Sequence, residues 1–134
     1  MDKIFIDTAF VIALINRKDQ YHNKASDLAD KYEGYPLVTS DGIILEIGNA
    51  LSKNFKQESI DVINQFHSSD EVTVVQINTT LFEKAFDLYC KYKDKTWSLV
   101  DCISFIVMQE MSITLALTSD KHFEQAGFQV LMVE

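Results

Sequence analysis

Four carboxylic acids, Asp7, Glu46, Asp101 and Asp120, stand where apolar runs end or are interrupted, beside short polar residues and far apart in the chain. A fold can gather such positions into one acidic pocket. Gathered carboxylates repel: two unit charges about 4 Å apart cost roughly 1 kcal/mol in water and about 4 kcal/mol at an effective dielectric of 20. A cation is therefore expected among them, and an all-oxygen donor set suits Mg2+ or Mn2+, hard ions held by a few carboxylates, water and substrate phosphate. Such a site can hold a metal ion against a substrate phosphate.

Each acid also has a structural explanation. Asp7 and Asp120 each follow an apolar strand-like run and stand where they can cap a following helix. Glu46 lies mid-helix in ILEIGNAL, on a face shared with Gly42, Ile43, Asn49 and Ala50, where Asn49 is placed to orient it; otherwise it is a solvated surface glutamate. Asp101 is the strongest case, because an apolar segment such as WSLVDCISFIVM rarely accepts an unpartnered charge. Ser98 and Asp101 also form a capping-box pattern, with Trp97 packing on Cys102 as its staple, and the first helical turn favours the negative charge. The hydroxyls of Thr8, Ser98, Thr118 and Ser119 are near these acids and suited to hold them. His22, His67 and His122 pair neither with one another nor with a cysteine at ligand spacing, so no zinc site is expected and each reads as solvated or packed.

Short apolar strands alternate with helical segments. Lys3–Ile6 reads as a strand running into a buried helix over Ala9–Ile15; Tyr21–Tyr32 is amphipathic and stops at Gly34; Leu37–Thr39 is a second strand. Ser40 or Asp41 caps a helix over Ile43–Leu51, a shorter helix covers Ile60–Phe66, and Val72–Val75 is a third strand. Leu81–Tyr92 is amphipathic, Leu99–Met111 is apolar almost all round, and strands over Ile113–Leu117 and Gln129–Val133 flank a short helix at His122–Ala126. This alternation predicts an α/β fold with a mainly parallel sheet covered on both faces, whose sites gather at the carboxyl ends of the strands.

At 134 residues, 47 % of them hydrophobic, with one proline, four glycines and no internal repeat, residues 1–134 are expected to fold as a single domain. No signal-peptide pattern or membrane-length run is present. Cys90 and Cys102 read as packed, reduced thiols, which together with the missing leader predicts a cytoplasmic protein. The net charge is −8, and Arg17 is the single arginine among twelve basic residues, so a broad basic nucleic-acid face is excluded. If the substrate is nucleic acid, bound metal and local lysines must attract it; Lys18, Lys53, Lys56, Lys91, Lys93, Lys95 and Lys121 are the candidates. No Gly-rich phosphate loop, GxSxG elbow or HExxH is present. An aspartate-nucleophile phosphatase would want a second aspartate at position 9, which is alanine, and a receiver domain would want one after the third strand, where Gln76 and Asn78 stand.

IFIDTAFVIAL, ILEIGNAL, WSLVDCISFIVM and LALTSDKHFEQAGF, in this order and spacing, resemble a PIN domain, and in particular the VapC-type toxin ribonucleases of prokaryotic toxin–antitoxin pairs. The resemblance spans the whole chain. It implies a three-layer αβα sandwich with roughly five strands, Mg2+- or Mn2+-dependent RNA cleavage, homodimerisation, and neutralisation by a cognate antitoxin. It places the metal-binding and catalytic acids on Asp7, Glu46, Asp101 and Asp120, with Thr8, Asn49, Ser98 and Thr118 in support. The chain departs from the family pattern at Ala9, where many relatives carry a hydroxyl, and at Lys121-His122, where some have a further carboxylate. The rival reading is a catalytically silent PIN-like module that only binds protein.

Overall fold

The computed structural model describes residues 1–133. β1 (Ile4–Ile6) leads to α1 (Thr8–Ile15) and α2 (His22–Lys31), then β2 (Leu37–Ser40), α3 (Asp41–Leu51), α4 (Lys56–Ser68) and β3 (Val72–Val75). α5 (Thr79–Lys91) and α6 (Leu99–Glu110) follow, then β4 (Leu115–Leu117), α7 (Lys121–Gln125) and β5 (Gln129–Val130). The strands form one five-stranded, all-parallel sheet in the order β3-β2-β1-β4-β5. Parallel neighbours need crossovers, which are almost always right-handed. The chain steps one way from β1 to β3 and the other way from β4 to β5, so α1 to α4 cover one face and α5 to α7 the other. Packing agrees with that division: α1 lies on α2 and α3, and α3 on α4, while α6 lies between α5 and α7. The sheet is thus the middle layer of three.

Strands buried on both faces must be apolar throughout, and Ile4, Phe5 and Ile6 are. Phe123 of α7 and Phe105 of α6 meet edge to face, centroids 5.0 Å apart, and Phe123 also packs on Phe5. Trp97 completes this cluster against Phe105 and Tyr92, its indole N–H donating to Gln125 Oε1. It therefore serves as core.

Local chemistry sets the helix ends. Ser40 caps α3, Asn78 caps α5, and Ser98 with Asp101 closes a full capping box on α6. Gly34, which follows α2, takes a positive φ of 85°. The strand expected from Ile113 begins only at Leu115, because α6 ends in a Schellman closure. Ser112, at φ 56°, donates to Gln109 O, and Ile113 N–H donates to Met108 O at 2.8 Å, so these two amides are spent on the helix. The last strand is likewise shorter than Gln129–Val133, although Leu131 and Met132 still donate to the carbonyls of Ala116 and Thr118. The helix read as Ile60–Phe66 extends from Lys56 to Ser68.

Candidate active site

β1 lies between β2 and β4, and the chain departs from it toward opposite edges of the sheet. Such a reversal leaves a crevice beyond the carboxyl ends of the two central strands. Asp7 follows β1 directly, and Thr118, Ser119 and Asp120 follow β4. The ends are laced together: Asp7 N–H donates to Leu117 O at 3.2 Å, and Thr118 Oγ1 donates to Asp7 Oδ2 at 2.6 Å. α3 brings Glu46 to the crevice and the first turn of α6 brings Asp101. The resulting open cavity, about 670 Å³, is lined by Asp7, Thr8, Ala9, Ile12, Glu46, Asn49, Ala50, Thr96, Ser98, Asp101, Asp120 and His122.

All four sequence-expected acids thus line one cavity, along with Thr8, Asn49 and Ser98. Thr118 lies beneath it, fully buried. Protein donors hold each acid by one oxygen. Thr8 Oγ1 donates to Glu46 Oε1 at 2.6 Å. Asp101 Oδ2 accepts from Ser98 N–H at 3.0 Å and lies 2.8 Å from His122 Nδ1. Asp120 Oδ1 accepts from His122 N–H at 2.9 Å. Among the described residues, the second oxygens of Glu46, Asp101 and Asp120 have no protein donor and are available to a ligand.

Asp7 is only 7 % exposed, and it occupies the N-cap position of α1 without making a cap bond. Its carboxyl is pushed from 3.8 to about 7, first by burial and then by the charges of Asp101 and Glu46, against the pull of the Thr118 hydroxyl and the Thr8 backbone N–H. A nearby positive charge adds to those hydrogen bonds in favouring the ionised form. The donor set, hard carboxylate oxygens with one imidazole beside them, fits a divalent cation.

Two expectations need correction. Asn49 lines the cavity, but Thr8 is the residue bonded to Glu46, because α1 starts directly against that side chain. His22 and His67 do serve locally, bonded to the carbonyls of Ala13 and Ile63. His122 does not: Nδ1 faces Asp101 and Asp120, and Nε2 lies 3.1 Å from Thr96 Oγ1. One ligand atom each from Asp101, Asp120 and His122 fall within 4.8 Å of one another. The sequence signal was the two-residue step from a capping aspartate, which puts the histidine on the same turn.

Cys90 is exposed and Cys102 buried, both as free thiols; burial, then the Asp101 charge, pushes Cys102 up to about 11. No helix among the described residues is long and apolar enough to cross a membrane.

The PIN domain model matches residues 4–129. Two curated relatives, from the CDC 1551 and H37Rv strains of Mycobacterium tuberculosis, are both named 23S rRNA-specific endonuclease VapC20. Each is 29 % identical over 127 residues, covering 93 % of this chain and 95 % of its own length. The crystal structure of the M. tuberculosis VapC20, a sarcin–ricin loop cleaving toxin, superposes with a TM-score of 0.85 at 28 % identity, over 94 % of this chain and 96 % of that one. FitAcB from Neisseria gonorrhoeae, at 13 % identity and a TM-score of 0.66 over 96 % of both chains, shares the fold. A parallel sheet that reverses at β1, an acid at each central strand end, and a family match across nearly the full length lead to one assignment: this chain belongs to the PIN domain family.

Proposed function

We propose that this protein is a divalent-metal-dependent endoribonuclease, the toxin of a type II toxin–antitoxin pair. The observation that supports it most is the meeting of Asp7, Glu46, Asp101 and Asp120 in one cavity at the sheet reversal. Likeness to VapC20 over nearly the whole chain supports RNA as the substrate class and toxin as the role.

In this reading Asp7, Glu46 and Asp101 hold Mg2+ or Mn2+, and Asp120 holds a second ion or orients the attacking water. The bound ion supplies Lewis-acid polarisation of the scissile phosphate and charge neutralisation at the leaving oxygen. Thr118, Thr8 and Ser98 fix the rotamers of Asp7, Glu46 and Asp101, so the carboxylates meet their ligand without reorganising. Water adds to phosphorus, the bond to the 3′ oxygen breaks, and a proton is delivered to that oxygen, leaving a 3′ hydroxyl and a 5′ phosphate.

The chain's acidity makes local attraction decisive. A groove lined by Tyr89, Tyr92, Lys93 and Lys95 shares Thr96 and Ser98 with the acidic cavity, and Arg17 and Lys18 line another with Asn54. These basic residues, with Lys53, Lys56, Lys91 and Lys121, are the proposed backbone contacts. A cognate antitoxin, a homodimeric state and a cytoplasmic site of action complete the reading.

The test is incubation of the purified protein with a defined RNA panel that includes 23S rRNA, in Mg2+, Mn2+ or EDTA. Cleavage with metal that is lost in EDTA and in Asp7→Asn and Asp101→Asn supports the reading. Undiminished cleavage by a clean Asp101→Asn preparation refutes it.

A further inference from the structure

We propose that His122 is itself a ligand of the divalent ion, through Nδ1, and that this nitrogen makes the pocket favour Mn2+ over Mg2+; the inference rests on the metal-dependent reading above. Nδ1 lies 2.8 Å from Asp101 Oδ2 and 3.5 Å from Asp120 Oδ1. In the metal-free chain the shorter contact is a hydrogen bond, but one ligand atom from each of Asp101, Asp120 and His122 lies within 4.8 Å of the others, close enough for one ion to take the place of that proton and be shared.

The far side of the ring permits that exchange, because Thr96 Oγ1 can either donate to Nε2 or accept from it. Nε2 lies 3.1 Å from Thr96 Oγ1. When Nε2–H donates to that hydroxyl, the Nδ1 lone pair faces the carboxylates, which is the tautomer ligation requires, and metal-bound imidazoles characteristically have their other N–H held this way. The His122 backbone N–H donates to Asp120 Oδ1, so one helix cap positions both side chains. Both ions take carboxylate and water oxygens readily, but Mn2+, a first-row transition ion, accepts an imidazole nitrogen in that shell more readily than Mg2+ does. A neutral ligand also adds no further negative charge to a pocket that already crowds four acids.

The test uses the metal-free full-length protein and Mn2+ as a spectroscopic probe. Pulsed electron paramagnetic resonance of the Mn2+-loaded wild type should show 14N coupling from a directly bound imidazole, absent from His122→Asn and His122→Ala. Titration of the same samples should show Mn2+ affinity weakened about tenfold or more in the variants, with Mg2+ affinity, read by competition, changed less. Mn2+ bound by the wild type without nitrogen coupling overturns the inference and leaves the metal-dependent reading standing. A wild type that binds no Mn2+ overturns both. The nitrogen signal of the wild type decides the question even if a variant folds poorly.

Discussion

The Thr118 hydroxyl donates to Asp7 Oδ2 at 2.6 Å, joining residues 111 positions apart at the carboxyl ends of β4 and β1. Both side chains are buried, so this bond tunes the carboxylate as well as placing it. Thr118→Val keeps the shape but removes both the donor to Asp7 and the acceptor of the Asp120 N–H. A hydrogen bond to a charged group contributes about 1.5–3 kcal/mol, so the variant should cleave RNA at least tenfold more slowly at neutral pH while retaining the fold by circular dichroism. Thr118→Ser should restore most of the rate.

Asp7 binds its proton more tightly in the folded chain than in the unfolded one, with a folded value near 7 against an ordinary 3.8. The stability this proton contributes is complete below about pH 4 and is lost as the pH climbs toward about 7, by up to roughly 1.4 kcal/mol per pH unit. In EDTA, the melting temperature should therefore fall between mildly acidic and neutral pH. Asp7→Asn should flatten that slope and melt higher than the wild type at pH 7. Parallel melting curves for the two proteins across this range would contradict the account.

Metal should reverse that penalty. An ion bound only by the folded state at a hundred times its Kd adds about 2.7 kcal/mol, a rise of several degrees in Tm. Mn2+ should raise the Tm of the wild type strongly and that of Asp7→Asn or Glu46→Gln little. Differential scanning fluorimetry with and without EDTA measures it.

Ser98 caps α6 and, through its own N–H, holds Asp101. Ser98→Ala should cost about 1 kcal/mol of stability, the usual value of a lost cap. Its backbone N–H remains, so Asp101 stays anchored and cleavage should fall far less than in Asp101→Asn. A comparison of denaturant midpoints with single-turnover rates separates the two effects.

The legible parts of the site were those where sequence and fold obey the same local rule. Asp101 stood out because a charge interrupts an apolar helix three residues after a serine, the pattern that closes the capping box. Asp7 and Asp120 stood out because parallel strands end there. The anchoring of Glu46 by Thr8 and the turn of His122 toward Asp101 depend on how α1 meets α3 and α7 meets α6, which are distances between elements that no residue spacing encodes. The late start of β4 escaped notice for a smaller reason: Ser112, not glycine, supplies the left-handed residue that ends α6.

The acids arrive on four separate segments, the first at position 7 and the last at position 120. No stretch shorter than residues 7–120 contains the full set, and Asp120 owes its place to the pairing of β4 beside β1. A copy of this chain truncated before β4 therefore lacks part of the acidic set, whatever the rest of it folds into.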